Sequence, residues 1–342
     1  MRDGAMRDGA MRDGAVPDDA GFFDPGLLFS EDFDGLADWE TEAKNSVGPL
    51  PGMFDYGYTA ETWHPTTVPG SMASMFISGS DPNQVFGGTG KALIVTYEST
   101  NNPNVYRSDG FLTKSIPPST EVYVSFMMRF ESGFNSESAN GSVKLFRILS
   151  WDGVRPRSKF FSGGNSAPIY LFHWGRSNYG VRQRHAFRCD DQATTYYCTD
   201  PVITNAPHSI NSGAMSTNFT SDIAMLSPEL PDLVNGGFLP DTGTVWHDQV
   251  YGDIWHHLEF YVKLNSAPSV NDGIFQFTLD GQKIIDMNEI PWIGRNGTMD
   301  AKWNSVLFGG NGKYNWNSSG GFDASRERWI AIDDIVIRNS LP

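Results

Sequence analysis

Glu259-Phe260-Tyr261-Val262-Lys263-Leu264-Asn265 decides the fold class. Phe260, Val262 and Leu264 alternate with Glu259, Tyr261, Lys263 and Asn265, which predicts a strand with one face on a core and the other free. A second alternating run follows, Ile274-Phe275-Gln276-Phe277-Thr278-Leu279. It meets Asp280-Gly281 and then Gln282-Lys283-Ile284-Ile285, the pattern of a tight β-hairpin. Upstream, Val122-Tyr123-Val124-Ser125-Phe126-Met127-Met128-Arg129-Phe130 reads as another strand. Leu28-Phe29-Ser30-Glu31-Asp32-Phe33-Asp34-Gly35 reads as a first strand running into a turn. Trp329 to Arg338 is β-branched and reads as the last. Helical periodicity is scarce, and no linker or heptad interrupts the pattern. The expectation is an all-β sandwich: one domain over 28–342 with long loops, preceded by a non-globular arm over 1–27.

Composition agrees. The 342 residues include 36 Gly and 20 Pro, with 13% aromatic and only 19% charged side chains. Those proportions suit a turn-rich β protein and argue against a coiled coil or a charge-rich disordered chain. The net charge of −15 argues against whole-chain nucleic-acid binding. No apolar stretch approaches the length of a membrane span. Residues 1–15 are three copies of Met-Arg-Asp-Gly-Ala, with no apolar segment of a secretory signal after them. They read as a leader, or as an arm through which copies of the chain self-assemble.

The order of these pieces resembles the concanavalin A-like jelly roll, in its polysaccharide-lyase and laminin-G-like branch. Phe29-Ser30-Glu31-Asp32-Phe33-Asp34 is similar to that family's first strand. Tyr123 to Phe130, then Lys144-Leu145-Phe146-Arg147, are similar to its central strands. Ile254 to Asn265, Asp272-Gly273 and Leu279-Asp280-Gly281 resemble its Trp-His…Asp-Gly stretch, and Ile332-Asp333-Asp334-Ile335-Val336-Ile337 its final strand, which pairs near the first. The resemblance implies a carbohydrate-active sandwich. The acidic Glu-x-Asp-x-x-Glu strand of the glucanase branch is absent. So is the Gln-Ile-His or Gln-Val-His strand of common alginate lyases.

The segment from Lys144 to Arg188 is where charge segregates. It holds Lys144, Arg147, Arg155, Arg157, Lys159, Arg176, Arg182, Arg184 and Arg188 against the single acid Asp152, inside an acidic chain. Aromatic residues are interleaved, Tyr170, Phe172 and Trp174 among them. As a strand, Val181 to Arg188 puts Arg182, Arg184 and Arg188 on one face; likewise Ile169, Leu171 and His173 share a face opposite Tyr170, Phe172 and Trp174. Arginine forks pair with carboxylate or sulfate, so the expected partner is an acidic polysaccharide. The alternative is that these cations pair with acids of neighbouring loops.

β-Elimination from a uronate needs a group that neutralises the carboxylate, a base for the C5 proton and an acid for the leaving oxygen. His173, Tyr179, Arg182 and Arg184 supply these types: the arginines as neutralisers, His173 or Tyr179 as base or acid. Lys144, Arg147, Trp174, Arg176 and Arg188 are the expected glycan contacts, with Tyr261 and Lys263 on a strand that could face the same groove. His256-His257 sends one ring to each face and reads as structural. Asp333-Asp334, read the same way, does not flank a hydrolase cleft.

Asp32 and Asp34 near the start could meet Asp333 or Asp334 if the terminal strands pair, giving oxygen ligands for a structural Ca²⁺, as in relatives with this fold. An acidic turn that accepts backbone N–H groups is the alternative. Cys189 and Cys198 are spaced for a disulfide closing a loop, which suits an oxidising compartment. The expected setting is extracellular, or on a cell or virion surface. The second functional reading is a structural or adhesive subunit of a filament, appendage or virion, without catalysis.

Overall fold

The computed structural model describes residues 24–40, 48–49, 55–58, 75–98, 107–131, 142–153, 168–177, 180–190, 254–295, 297–313 and 327–342. They form two antiparallel sheets. In chain order the strands are β1 Leu27–Glu31, β2 Trp39–Glu40, β3 Gly48–Pro49, β4 Asp55–Tyr58, β5 Met75–Ser78, β6 Ala92–Glu98, β7 Arg107–Ser119 and β8 Glu121–Phe130. Then come β9 Ser142–Leu149, β10 Ile169–Ser177, β11 Gly180–Arg188, β12 His256–Lys263, β13 Gly273–Leu279, β14 Gln282–Ile290, β15 Trp303–Lys313 and β16 Glu327–Arg338. The nine-stranded sheet runs β14-β13-β12-β8-β16-β6-β5-β2, with β1 also on β16; the seven-stranded sheet runs β11-β10-β9-β15-β7-β4-β3. No helix among the described residues is long and apolar enough to cross a membrane.

Several sequence expectations have direct counterparts. Asp280 and Gly281 take positive φ, 50° and 76°, and Leu279 pairs with Gln282 across them. That is the two-residue turn whose twist suits a hairpin. The terminal strands pair, Phe29 opposite Ile337 and Glu31 opposite Ile335. His256 is buried with Nδ1 2.6 Å from Asp280, while His257 is half-exposed. Asn265 corrects the alternation: it lies past the end of β12 and is buried. Its amide donates to Ala267 and Ile293 carbonyls and its oxygen accepts the Ile293 N–H at 2.8 Å.

The two sheets meet through aromatic rings. Phe260 and Phe126 of the nine-stranded sheet lie 4.7 and 5.2 Å from Phe146 of the other, and Phe275 lies 4.6 Å from Tyr170. Such tilted pairs add to the area they bury. Residues of the other parity lie outside this core. Leu149, Ile169, Leu171, Leu307 and Phe111 form a separate cluster on the far side of the seven-stranded sheet.

Candidate functional site

The basic segment folds as β9, β10 and β11 of the seven-stranded sheet. Phe172 pairs with Phe146, and both are core residues. The register then shifts by one, so that His173 is opposite Lys144 and Leu145 is the extra residue of β9. A bulge of this kind changes the parity of everything beyond it. Lys144 and Arg147, three apart, would lie on opposite faces of a regular strand. With Leu145 taken into the core, both fall in the outer register set, Arg147 opposite Leu171 and Lys144 opposite His173. On the other side, His173 is opposite Arg184. Directly opposed residues belong to one face, so Lys144, His173 and Arg184 make one register row across three adjacent strands. Arg182, opposite Gly175, and Arg188, opposite Ile169, belong to the same set.

Two features hold this bulge. The Tyr97 hydroxyl, from the nine-stranded sheet, donates to the Lys144 carbonyl at 3.0 Å. In β15, Gly310 has φ 141°, and a Cβ there would sit 2.9 Å from the Cβ of Lys144. Glycine is therefore the residue that lets β15 pass this close. Arg147 is 2% exposed, carried between Leu171 and Leu307 in the register.

The remaining expected contacts separate from this row. Trp174, opposite Val143 and Gln183, and Arg176, opposite Val181, occupy the alternate, core-parity set. Tyr261 and Lys263 do not share the face. They lie on β12 of the other sheet, where Tyr261 donates to Glu121 and Lys263 approaches the same carboxylate at 3.9 Å. Burial pushes the Tyr261 phenol up, and Glu121 pushes it further. The physical reason is partner choice: β12 pairs with β8 and β13, not with β10 or β11. Tyr179 lies outside the described residues. Cys189 is buried and disulfide-bonded; Cys198, the other cysteine of the chain, lies outside the described residues.

Asp32 and Asp334 line a cavity of about 460 Å³ on the nine-stranded sheet, with Glu31, Ser125 and His257. Asp32, Asp34 and Asp333 each accept backbone N–H groups, Asp32 that of Asp34 at 3.1 Å. Asp34 takes that of Lys91 at 2.8 Å; Asp333 takes those of Phe86 at 3.1 Å and Asp334 at 2.9 Å. Among the described residues no three His, Cys, Asp or Glu side chains converge as a metal-ligand group. A hard cation here would need backbone carbonyls to complete its shell.

Asp333 is 3% exposed. Burial pushes its carboxyl up to about 7, and the Asp334 and Asp34 charges add to this, against the two N–H bonds. The native state then holds a proton that the unfolded chain, at 3.8, gives up. Stability from this group is complete below about pH 4 and falls as pH rises to about 7. Comparison of urea midpoints for wild type and Asp333→Asn checks this. The wild type should lose about 2–4 kcal/mol more than the variant between those limits. Parallel curves would contradict it.

No protein-family model matches the chain, and no curated protein matches it. Among solved structures it is similar to the alginate lyase Aly36B, at TM-score 0.49 and 15% identity over 92% of this chain and 97% of that one. It is similar also to an endo-β-1,4-glucuronan lyase from the fungus Trichoderma reesei (TM-score 0.42, 12% identity, 92% and 96% covered). A third is β-agarase A from Zobellia galactanivorans (TM-score 0.40, 11% identity, 90% and 89% covered). All are jelly-roll sandwiches.

Proposed function

We propose that the chain binds an acidic polysaccharide on the outer face of its seven-stranded sheet and cleaves it by β-elimination. The observation that carries this reading is the row Lys144–His173–Arg184, one residue from each of three adjacent strands. It puts a lysine and an arginine position in register on either side of a histidine position, in the segment where the chain's positive charge is concentrated. Arg184 and Lys144 would hold the uronate carboxylate, so that charge building up at C5 is delocalised into a neutralised group. His173 would take the C5 proton as general base. The C–H electron pair becomes the C4–C5 double bond, the C4–O bond breaks, and the leaving oxygen takes a proton. Tyr179 is the proposed donor of that proton. Arg182 and Arg188, in the same register set, would extend the anion-binding track along β11.

An extracellular or surface setting is part of the proposal; the Cys189 disulfide supports it. Calcium is proposed for stability and not for chemistry. Asp32, Asp34, Asp333 and Asp334 near the paired terminal strands are its proposed seat, with backbone carbonyls completing the shell. Adding Ca²⁺ to protein stripped with EDTA is expected to raise Tm by several degrees; superimposable melts would remove the proposal.

The test is incubation with alginate, polyglucuronate, pectate and heparin while following the ultraviolet absorbance of unsaturated uronate ends. A rise with at least one polymer is expected. A flat trace on all four, without binding to any, would overturn the reading in favour of an assembly subunit.

A further inference from the structure

The outer face of the nine-stranded sheet carries a patch that the row and the cavity leave unused. Arg129 of β8 is opposite Ala331 of β16, Ala331 is opposite Ile94 of β6, and Ile94 is opposite Phe76 of β5. On the other side of β8, the ladder with β12 starts at His256 opposite Met128, and Trp255 and Arg129 are the next residue on each side of that pair. Ile94 and Ala331 belong to a small buried cluster, against which Phe76, Trp255 and Trp329 pack while staying partly exposed. Phe86 meets Trp255 edge-on at 5.7 Å. Ile254, just before Trp255, is 59% exposed.

Arg129 is the unsatisfied member of this patch. It is half-buried, and its Nε is buried without a hydrogen-bond partner. Among the described residues no carboxylate pairs with it, and two acids near it in the chain and sheet are engaged elsewhere. Glu131 holds Arg328 at 3.0 Å and the Trp329 N–H at 3.1 Å. Asp333 holds the Phe86 and Asp334 N–H groups. A partly desolvated guanidinium without an anion is costly, and a ligand anion would relieve it. Trp255 and Trp329, partly exposed on the same small cluster, offer aromatic surface for a ring next to that anion.

We propose that this patch is a second, non-catalytic glycan site, in which Arg129 takes a sugar carboxylate or sulfate and Trp255 and Trp329 hold the adjoining rings. The choice of an acidic polysaccharide rests on the functional reading above; the patch itself lies on the opposite sheet. Full-length protein carrying Lys144→Ala and Arg184→Ala isolates it, because those changes disable the row. Affinity electrophoresis through alginate, dextran sulfate and neutral dextran then separates the sources of the anion. The double variant should still be retarded by alginate or by dextran sulfate, and not by neutral dextran. Adding Arg129→Gln, or Trp255→Ala outside the strands, should weaken that retardation about tenfold. Arg129→Lys, which keeps the charge, should lose less. Retardation that is already gone in the double variant, unchanged by Arg129→Gln and Trp255→Ala, or equal in neutral dextran would overturn the proposal. If cleavage is absent while retardation depends on Arg129, the catalytic reading fails and this one stands.

Discussion

His173→Ala is expected to lower the rate of formation of unsaturated ends by about 10²–10⁴-fold, the usual contribution of a positioned general base. Among the predicted catalytic residues that are described, His173 alone is flanked on both sides of its strand by a cation in register, Lys144 on β9 and Arg184 on β11. Arg184→Ala should cost about 10²–10³-fold, because it removes stabilisation of the enolate-like charge. The two losses should not add, since base and neutraliser serve one transition state. Lys144→Ala should fall between these and a pure binding effect. Steady-state kinetics on the best polymer, with far-ultraviolet circular dichroism to verify the fold, checks all three. An unchanged rate in His173→Ala would move the base elsewhere. A raised KM at constant kcat in Arg184→Ala would make that residue a binding contact only.

The largest stability effect is expected at Phe260. Its ring stands between the sheets, 5.6 Å from Phe126, 4.7 Å from Phe146, 5.3 Å from Phe172 and 5.0 Å from Phe277. Tyr170 stands a further 5.7 Å away, so Phe260→Ala removes a buried ring from among five others, and packed neighbours collapse only partly into such a gap. A loss of about 3–5 kcal/mol in urea unfolding is expected, with the slope unchanged. A loss below about 1 kcal/mol would mean that this junction is not the central contact between the sheets.

The same strand shows how far the sequence carries. Its alternation and the Asp280-Gly281 turn were legible, because period two and turn chemistry are local properties; the pairing of the terminal strands was expected from the family resemblance and from no local pattern. Which sheet β12 joins was not. Alternation says that Tyr261 and Lys263 share a face, and they do, but strand partners are set by long-range packing. That is why they meet Glu121 and not the basic row. Parity failed at Leu145 for a related reason. A bulge there has no signal in β9 itself; its traces are Gly310 on β15 and Tyr97 on β6. Asn265 read as an outward polar residue because alternation has no term for a side chain that caps loop backbone. The Arg129 patch was missed because its residues come from β5, β6, β8, β16 and the entry to β12, so no sequence window contains it.

Cleavage in water enriched in oxygen-18, followed by mass spectrometry of the products from the best acidic polymer, tests the central claim most directly. β-Elimination breaks the C4–O bond without adding water. The account therefore predicts unsaturated oligosaccharides with no heavy oxygen, formed by the wild type and lost in His173→Ala. Saturated products carrying the label would mean hydrolysis, and would contradict the role assigned to the Lys144–His173–Arg184 row.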